Sequence, residues 1–214
     1  MWNGILAAVI SVLQIAALLM IEKQYREQIK DEQTLKKWFL YGTAFLLTCL
    51  LNVLLLMQPD YNWLMILNFV AASTVVLIAG GIDFHCHKIP NLILAVGAGC
   101  RILFLILSVI LYRTEAVTAL VMSLVGCVAS LLVMLLISIL SRHGIGYGDV
   151  KLYACLGLYL GLMDTYYILF YAVFLAALYA AYVLLAKKGD RKTKIPFGPF
   201  TYLGFVLVYL FSFM

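Results

Sequence analysis

Two aspartates stand where long apolar stretches meet polar loops, and a carboxylate in such a place is costly to keep charged. Asp83 lies in the segment Gly-Ile-Asp-Phe-His-Cys-His-Lys-Ile-Pro-Asn, and Asp149 lies in Gly-Tyr-Gly-Asp-Val-Lys. Ionisable groups at membrane depth are candidates for function. Two carboxylates that share one site can work as an acid and a base, and such a pair activates water.

The composition indicates that these aspartates are carried by a bundle of membrane helices. The 214 residues are 65% hydrophobic and 12% charged, with a mean hydropathy of +1.06. Soluble domains do not have this composition, whereas polytopic membrane proteins do. We therefore expect an all-α transmembrane bundle that forms one integral-membrane domain over residues 1–214. The net charge of +5 lies in short loops between apolar stretches, so it does not indicate a nucleic-acid partner.

The apolar stretches predict eight membrane spans, because a helix needs about 20 apolar residues to cross a bilayer. The sixth stretch is short, and it can cross only if its helix begins near Asp149 or if the bilayer is locally thin. Seven spans is the alternative, with the sixth stretch re-entrant. The predicted spans are Trp2–Ile21, Phe39–Met57, Leu64–Ile82, Leu92–Tyr112, Val117–Leu140, Leu152–Met163, Tyr166–Ala186 and Phe197–Phe213.

The distribution of lysine and arginine predicts how the spans are oriented. Thirteen of the fifteen basic residues lie in the loops after spans one, three, five and seven, and one, Arg113, lies in an alternate loop. The positive-inside rule then places both termini outside and the basic loops in the cytoplasm. Asp83 and Asp149 would both lie at the cytoplasmic face of the cell's inner (cytoplasmic) membrane.

Glycines precede the second aspartate. Gly146 and Gly148 would leave bare backbone beside Asp149, where a peptide substrate could approach closely. The alternative is that Asp149 only caps a helix that starts at Val150. Lys151 follows two residues later and marks the inner interface of the membrane.

Two proline-containing segments complete the candidate site. Pro90 suits the start of a helix, and Asn91 can cap that helix or hydrogen-bond to a loop. Pro196, Gly198 and Pro199 loosen the start of the last span and leave backbone groups unpaired. At membrane depth, such groups must be buried in protein or line a wet cavity. A simple proline turn is the alternative explanation for the second segment.

Taken in order, these motifs resemble those of the type IV prepilin peptidase family. The pattern is Asp83, five intervening residues and Ile-Pro-Asn, then Gly-x-Gly-Asp-x-Lys, then Ile-Pro-Phe-Gly-Pro-Phe. The resemblance covers residues 64–213, which would form the peptidase core. It implies an intramembrane aspartic endopeptidase that removes leader peptides from prepilin or pseudopilin precursors at the cytoplasmic membrane face. Asp83 and Asp149 match the catalytic pair, and the chemistry requires neither a metal nor an organic cofactor.

The chain departs from the bifunctional members of that family. Those members carry a cytoplasmic insert with two Cys-x-x-Cys pairs, and they also N-methylate the new N-terminus. None of the five cysteines here belongs to a Cys-x-x-Cys pair. The sequence therefore resembles the smaller, peptidase-only branch, and methyl transfer is in doubt.

A buried arginine and a short histidine motif have structural explanations that we favour. Arg101 lies within the fourth span and should face the bundle interior, as support for the structure or for substrate. His85, Cys86 and His87 lie just after the first aspartate, but the sequence offers no second cluster of ligands, so we expect no metal site.

Two other functions are compatible with the same residues. A proton- or cation-coupled transporter would use the carboxylates as ion sites, but no inverted repeat is visible and both aspartates lie at one face. A membrane scaffold would tolerate alanine at both positions. The peptidase hypothesis predicts a prepilin-like substrate and the lipid bilayer as partners, and it leaves open whether the chain forms a homodimer.

Overall fold

The described residues of the computed structural model form seven helices and contain no strand. The structure describes residues 2–26, 34–59, 61–141, 145–186 and 195–213. The helices are α1 (Trp2–Arg26), α2 (Thr34–Leu56), α3 (Trp63–Cys86), α4 (Asn91–Leu111), α5 (Arg113–Leu140), α6 (Tyr147–Leu185) and α7 (Gly198–Phe213). The prediction of an all-helical chain is confirmed for this part of the sequence.

The helices are apolar enough to belong to a membrane protein. Four segments of the described chain have the length and hydropathy to cross a bilayer, and three apolar helices are shorter. The long segments are Trp63–Cys86, Asn91–Leu111, Val117–Leu140 and Tyr147–Leu185, and the shorter ones are Ile5–Ile21, Tyr41–Leu56 and Gly198–Ser212. Helix α3 is the central element, because it packs against α1, α2, α4, α6 and α7.

Helix α6 joins the sixth and seventh predicted spans into one element that is broken at Gly161. The backbone there has φ of 78° and ψ of −171°, which is not helical and which residues with a side chain rarely adopt. The helix begins at Tyr147, close to Asp149, as the sixth span would need in order to cross. The sequence predicted two spans, and the structure connects them without a loop.

The chain reverses direction at this break. The first half of α6 lies beside the start of α7, since the hydroxyls of Tyr153 and Thr201 are 3.2 Å apart. The second half runs antiparallel to α7. At one end of that pairing Tyr209 donates a hydrogen bond to Asp164, and at the other end the ring of Tyr179 lies 5.6 Å from that of Phe200. The two halves of α6 are therefore separate helical segments of the bundle. We call the segment before Gly161 the first leg of α6 and the segment after it the second leg.

Arg101 and Asn68 hydrogen-bond to the end of the first leg. The last carbonyl groups of a helix have no partner within it, and in a bilayer they must find one elsewhere. Arg101 donates from Nε to the carbonyl of Leu158 (2.8 Å), and Asn68 donates to the carbonyl of Tyr159 (3.0 Å). The positive charge of Arg101 also suits the negative end of a helix dipole. The other two guanidinium nitrogens of Arg101 donate hydrogen bonds to the side-chain oxygens of Asn68 and Ser123.

Helices α5 and α6 touch through their backbones where two glycines meet. A Cβ atom built on Gly157 would lie 2.3 Å from the carbonyl oxygen of Gly126, and one on Gly126 would lie 2.4 Å from that of Gly157. Small residues at such crossings let membrane helices approach closely. The contact holds the first leg of α6 against α5.

A buried polar network attaches the first two helices to α3. Gln14 of α1 donates to the hydroxyls of Ser73 (2.9 Å) and Thr74 (2.8 Å). Asn52 of α2 donates to the side-chain oxygens of Gln14 and Ser11, both at 2.9 Å. Hydrogen bonds between side chains are one of the forces that associate helices in lipid, where the hydrophobic effect does not.

Candidate active site

Asp83 is held in the last turn of α3 by the start of α7. The residue is 5% exposed, and the backbone N–H of Gly198 donates to its Oδ2 at 2.8 Å. Close approach is possible because neither helix has a side chain at the contact: a Cβ atom on Gly80 would lie 3.0 Å from the carbonyl oxygen of Gly198.

Helix α3 ends directly after the histidine motif. His87 adopts a left-handed conformation, with φ of 50° and ψ of 34°, and its N–H donates to the carbonyl of Asp83 at 2.9 Å. His85 points to the hydroxyl of Tyr41, 3.3 Å away. Within the described residues, no three His, Cys, Asp or Glu side chains are grouped closely enough to hold a metal ion.

Asp149 lies in the first turn of α6, where a negative charge suits the positive end of the helix dipole. Gly146 is the cap residue of α6, and Asp149 stands three positions along. An acidic side chain at that position can reach back to the N–H of the cap residue, which is half of a capping box. The residue is 8% exposed, and its Oδ1 has no hydrogen-bond partner among the described residues.

The two carboxyl groups come to the same end of the bundle. They belong to helices far apart in sequence, yet both lie beside the start of α7. Gly198 contacts Asp83, and the ring of Tyr153, one turn after Asp149, lies 6.1 Å from that of Phe197. Both groups are buried, and burial penalises the charged form of each. Two such carboxyls do not both ionise easily, so the pair can hold one proton between them and act as acid and base.

The segment before α4 closes over the start of α6. The Cα of Gly148 approaches Ile89 so closely that a Cβ atom would lie 3.1 Å from the Cβ of Ile89. Pro90 is the cap residue of α4, and Lys151 donates to the side-chain oxygen of Asn91 at 3.0 Å. All the residues predicted for the active-site loop therefore lie around Asp149.

Pro196 and Pro199 lie around the start of α7, whereas Arg101 lies in another part of the bundle. Pro196 lies half-buried just before α7, and Pro199 is the second residue of that helix. Pro199 also lines a cavity of about 110 Å³ together with Gly80 and Phe84, next to Asp83. Arg101 is not at this site; as described above, it binds the end of the first leg of α6.

Tyr153 is a neighbour of the pair that the sequence reasoning missed. It is fully buried one turn after Asp149, and its hydroxyl lies 3.2 Å from that of Thr201 near the start of α7. Its ring lies 6.1 Å from that of Phe197, which precedes α7. The spacing of four residues from Asp149 was a usable signal, because it puts both side chains on one face of the helix.

Comparison with known proteins agrees with this geometry. The sequence profile of the Type IV leader peptidase family matches residues 69–181, which make up more than half of the chain and include both aspartates.

The chain belongs to the Type IV leader peptidase family.

Two curated relatives support membership of the Type IV leader peptidase family. A prepilin leader peptidase/N-methyltransferase from Bacillus subtilis (strain 168) is 29% identical over 139 residues, which cover 65% of this chain and 53% of the relative. A protein of the same name from Xanthomonas campestris pv. campestris is 41% identical over 59 residues, covering 28% of this chain and 21% of the relative. The chain thus spans about half the length of the first relative. No solved structure gives a significant match.

Proposed function

We propose that the protein is an intramembrane aspartic endopeptidase that removes the leader peptide of type IV prepilin-like precursors. The observation that carries this proposal is that two buried carboxyl groups, Asp83 and Asp149, lie at the same end of a membrane helix bundle, beside the start of α7. Membership of the Type IV leader peptidase family supports the same chemistry. The relatives carry the name prepilin leader peptidase, which supports pilin or pseudopilin precursors as the substrate class.

The hydrogen bonds around the pair support a proposal for the two roles. Asp83 accepts a hydrogen bond from the backbone N–H of Gly198 at 2.8 Å. Donors of this kind favour the ionised form of a carboxyl group. The Oδ1 atom of Asp149 is buried and has no hydrogen-bond donor in the described chain. We propose that this difference outweighs the helix dipole at Asp149, so that the shared proton resides on Asp149 and Asp83 is the base.

The reaction follows from these roles. Asp83 takes a proton from water while the water oxygen bonds to the scissile carbonyl carbon, and Asp149 gives its proton to the carbonyl oxygen. In the second step, a hydroxyl proton of the resulting diol returns to Asp149. Asp83 then protonates the amide nitrogen as the C–N bond breaks. The products are a carboxylic acid and an amine, and both aspartates recover their starting forms.

We propose a topology of eight crossings with both termini outside and the aspartate pair at the cytoplasmic face. The reversal at Gly161 supports eight helical legs, because it divides α6 in two. The positive-inside distribution of lysine and arginine supports the orientation. A precursor would keep its basic leader at the cytoplasmic surface, and its apolar helix would enter the bilayer beside the bundle.

We propose peptide cleavage alone and do not extend the proposal to methyl transfer. The relatives are named as both leader peptidase and N-methyltransferase. The family's methylating members have Cys-x-x-Cys pairs, and this sequence has none.

The decisive experiment replaces each aspartate by its uncharged isostere. Asp83→Asn and Asp149→Asn should each lower cleavage of a co-expressed prepilin by about 100-fold or more, the range typical of a lost general acid or base. Asp190→Asn, which removes a carboxylate from the basic segment after α6, serves as the matched control and should cleave normally. Full cleavage by either member of the pair would refute the mechanism. An ion flux that Asp149→Asn abolishes, in a protein without peptidase activity, would instead favour transport.

A further inference from the structure

A further carboxyl group, that of the half-buried Asp164, lies at the other end of the bundle, near the end of α7. Asp83 contacts Gly198 at the start of α7, whereas Asp164 accepts a hydrogen bond from Tyr209 in the last turns of the same helix, at 3.0 Å. Gly198 and Tyr209 are eleven positions apart, which corresponds to about 16 Å along the helix. Asp164 is thus a carboxylate remote from the active site, and the peptidase mechanism does not use it.

An open cavity of about 290 Å³ surrounds this carboxylate. The second leg of α6 and the end of α7 form its walls. Its lining is mostly aromatic and includes Asp164, Tyr167, Tyr171, Tyr209, Phe211 and Ser212.

Three features of the cavity attract a cation. Asp164 carries a negative charge, and no lysine, arginine or histidine of the described chain forms an ion pair with it. The faces of aromatic rings attract cations, and three tyrosines and a phenylalanine line the walls. The last turn of α7 adds the negative end of a helix dipole, because its final carbonyl groups have no partner within the helix.

The same features select an organic cation over a metal ion. A metal site needs several oxygen, nitrogen or sulfur ligands, and this cavity offers one carboxylate. Its volume is far larger than a bare ion requires. Aromatic walls with a single acidic group are the arrangement that recognises alkylammonium groups. Tyrosine-rich ends of membrane bundles lie at the level of the lipid head groups, which are the most abundant source of such groups there.

We propose that this cavity binds the ammonium head group of an aminophospholipid at the membrane surface opposite the aspartate pair. The ammonium group contacts Asp164 and the tyrosine rings, and the acyl chains lie along the exposed apolar faces of α6 and α7. The same chemistry would accept a free alkylammonium ion. If the tyrosines only anchored the bundle at the membrane surface, lipid binding would not depend on the charge of the head group.

The test compares lipids that differ only in the head group. The purified full-length protein is mixed with phosphatidylethanolamine or with phosphatidylglycerol of the same acyl composition, and bound lipid is counted by native mass spectrometry. We expect phosphatidylethanolamine to bind at least tenfold more tightly. Asp164→Asn should reduce that affinity by about tenfold or more. Its carboxamide oxygen can still accept the hydrogen bond from Tyr209, so the fold is retained, which the melting temperature without lipid verifies.

Two neighbouring tyrosines provide a matched control. Tyr167 lines the cavity and Tyr166 does not, although both side chains are about half exposed. Tyr167→Leu should weaken phosphatidylethanolamine binding, and Tyr166→Leu should not.

Ethanolamine added in solution distinguishes the two sources of the group. Displacement of bound lipid would mean that the ammonium group is recognised alone, and retention would mean that the rest of the lipid contributes. Equal binding of both lipids, or unchanged binding by Asp164→Asn, would overturn the proposal.

Discussion

Gly198→Ala should inactivate the enzyme by moving the base without changing its chemistry. The added Cβ atom would lie 2.8 Å from the Cβ of Asp83 and 3.1 Å from its Oδ2. Carbon atoms prefer contacts of about 3.5–4.0 Å, so the two helices must separate by about 1 Å. The backbone hydrogen bond from Gly198 to Asp83, now 2.8 Å long, would stretch at the same time.

The size of the effect follows from that displacement. A misplacement of about 1 Å at a reacting group can lower the rate by about 100-fold. We therefore expect kcat/KM for precursor cleavage to fall by about 100-fold. Overpacking should also lower the free energy of unfolding by about 1–3 kcal/mol, which leaves the protein folded in a membrane.

The assay is a time course of prepilin cleavage in detergent or liposomes, with helix content measured by circular dichroism. Gly99→Ala is the control, because a Cβ atom there would meet nothing within 4 Å. It should leave cleavage unchanged. If Gly198→Ala kept the wild-type kcat/KM, the contact between α3 and α7 would not position Asp83. That result would contradict the assignment of Asp83 as the base.

Two further predictions concern the scaffold of α6. Gly157→Ala places a Cβ atom 2.3 Å from the carbonyl oxygen of Gly126, so it should lower the free energy of unfolding by about 1–3 kcal/mol. Adding Gly126→Ala should then cost less than its separate effect, because the helices have already parted; additive costs in denaturant titrations would contradict this. Arg101→Leu removes three hydrogen bonds worth about 0.6 kcal/mol each in a membrane protein, and should destabilise by about 2 kcal/mol. Hydrogen exchange should quicken near Gly161 in that variant, and unchanged exchange there would argue against the capping role.

The helices and the aspartate motifs could be predicted from the sequence because both depend on local patterns. Apolar stretches of sufficient length fix where helices form in a bilayer. Asp83 and Asp149 each stand at the end of such a stretch, so their approximate depth follows as well. That both carboxyl groups lie beside the start of α7 depends on how α3, α6 and α7 pack, and the pattern along the chain does not specify packing.

The reversal of α6 could not be predicted for a related reason. Gly161 is one of fifteen glycines, and nothing in its neighbourhood in sequence marks it for a positive φ. The sequence placed the interruption near Asp164, a few residues too late. Without the break, Arg101 had no visible partner, since the carbonyl of Leu158 becomes available only when the helix ends.

The polar network of the first two helices was missed because its members look ordinary one at a time. Gln14 and Asn52 are isolated polar residues in apolar helices, and each could have faced a lipid head group or a wet cavity. Their partners Ser73 and Thr74 lie on a third helix, so the hydrogen bonds depend on tertiary packing alone.

The loop-free turn at Gly161 bears on how the protein is made. Between Lys151 and Lys187 the only charged side chain is Asp164, so residues 152–186 carry almost nothing hydrophilic across the bilayer during synthesis. The nascent segment can therefore enter the bilayer as one preformed hairpin. In the orientation proposed above, both ends of the hairpin stay on the side of the ribosome, and a single insertion event decides on which side the first turn of α6 emerges.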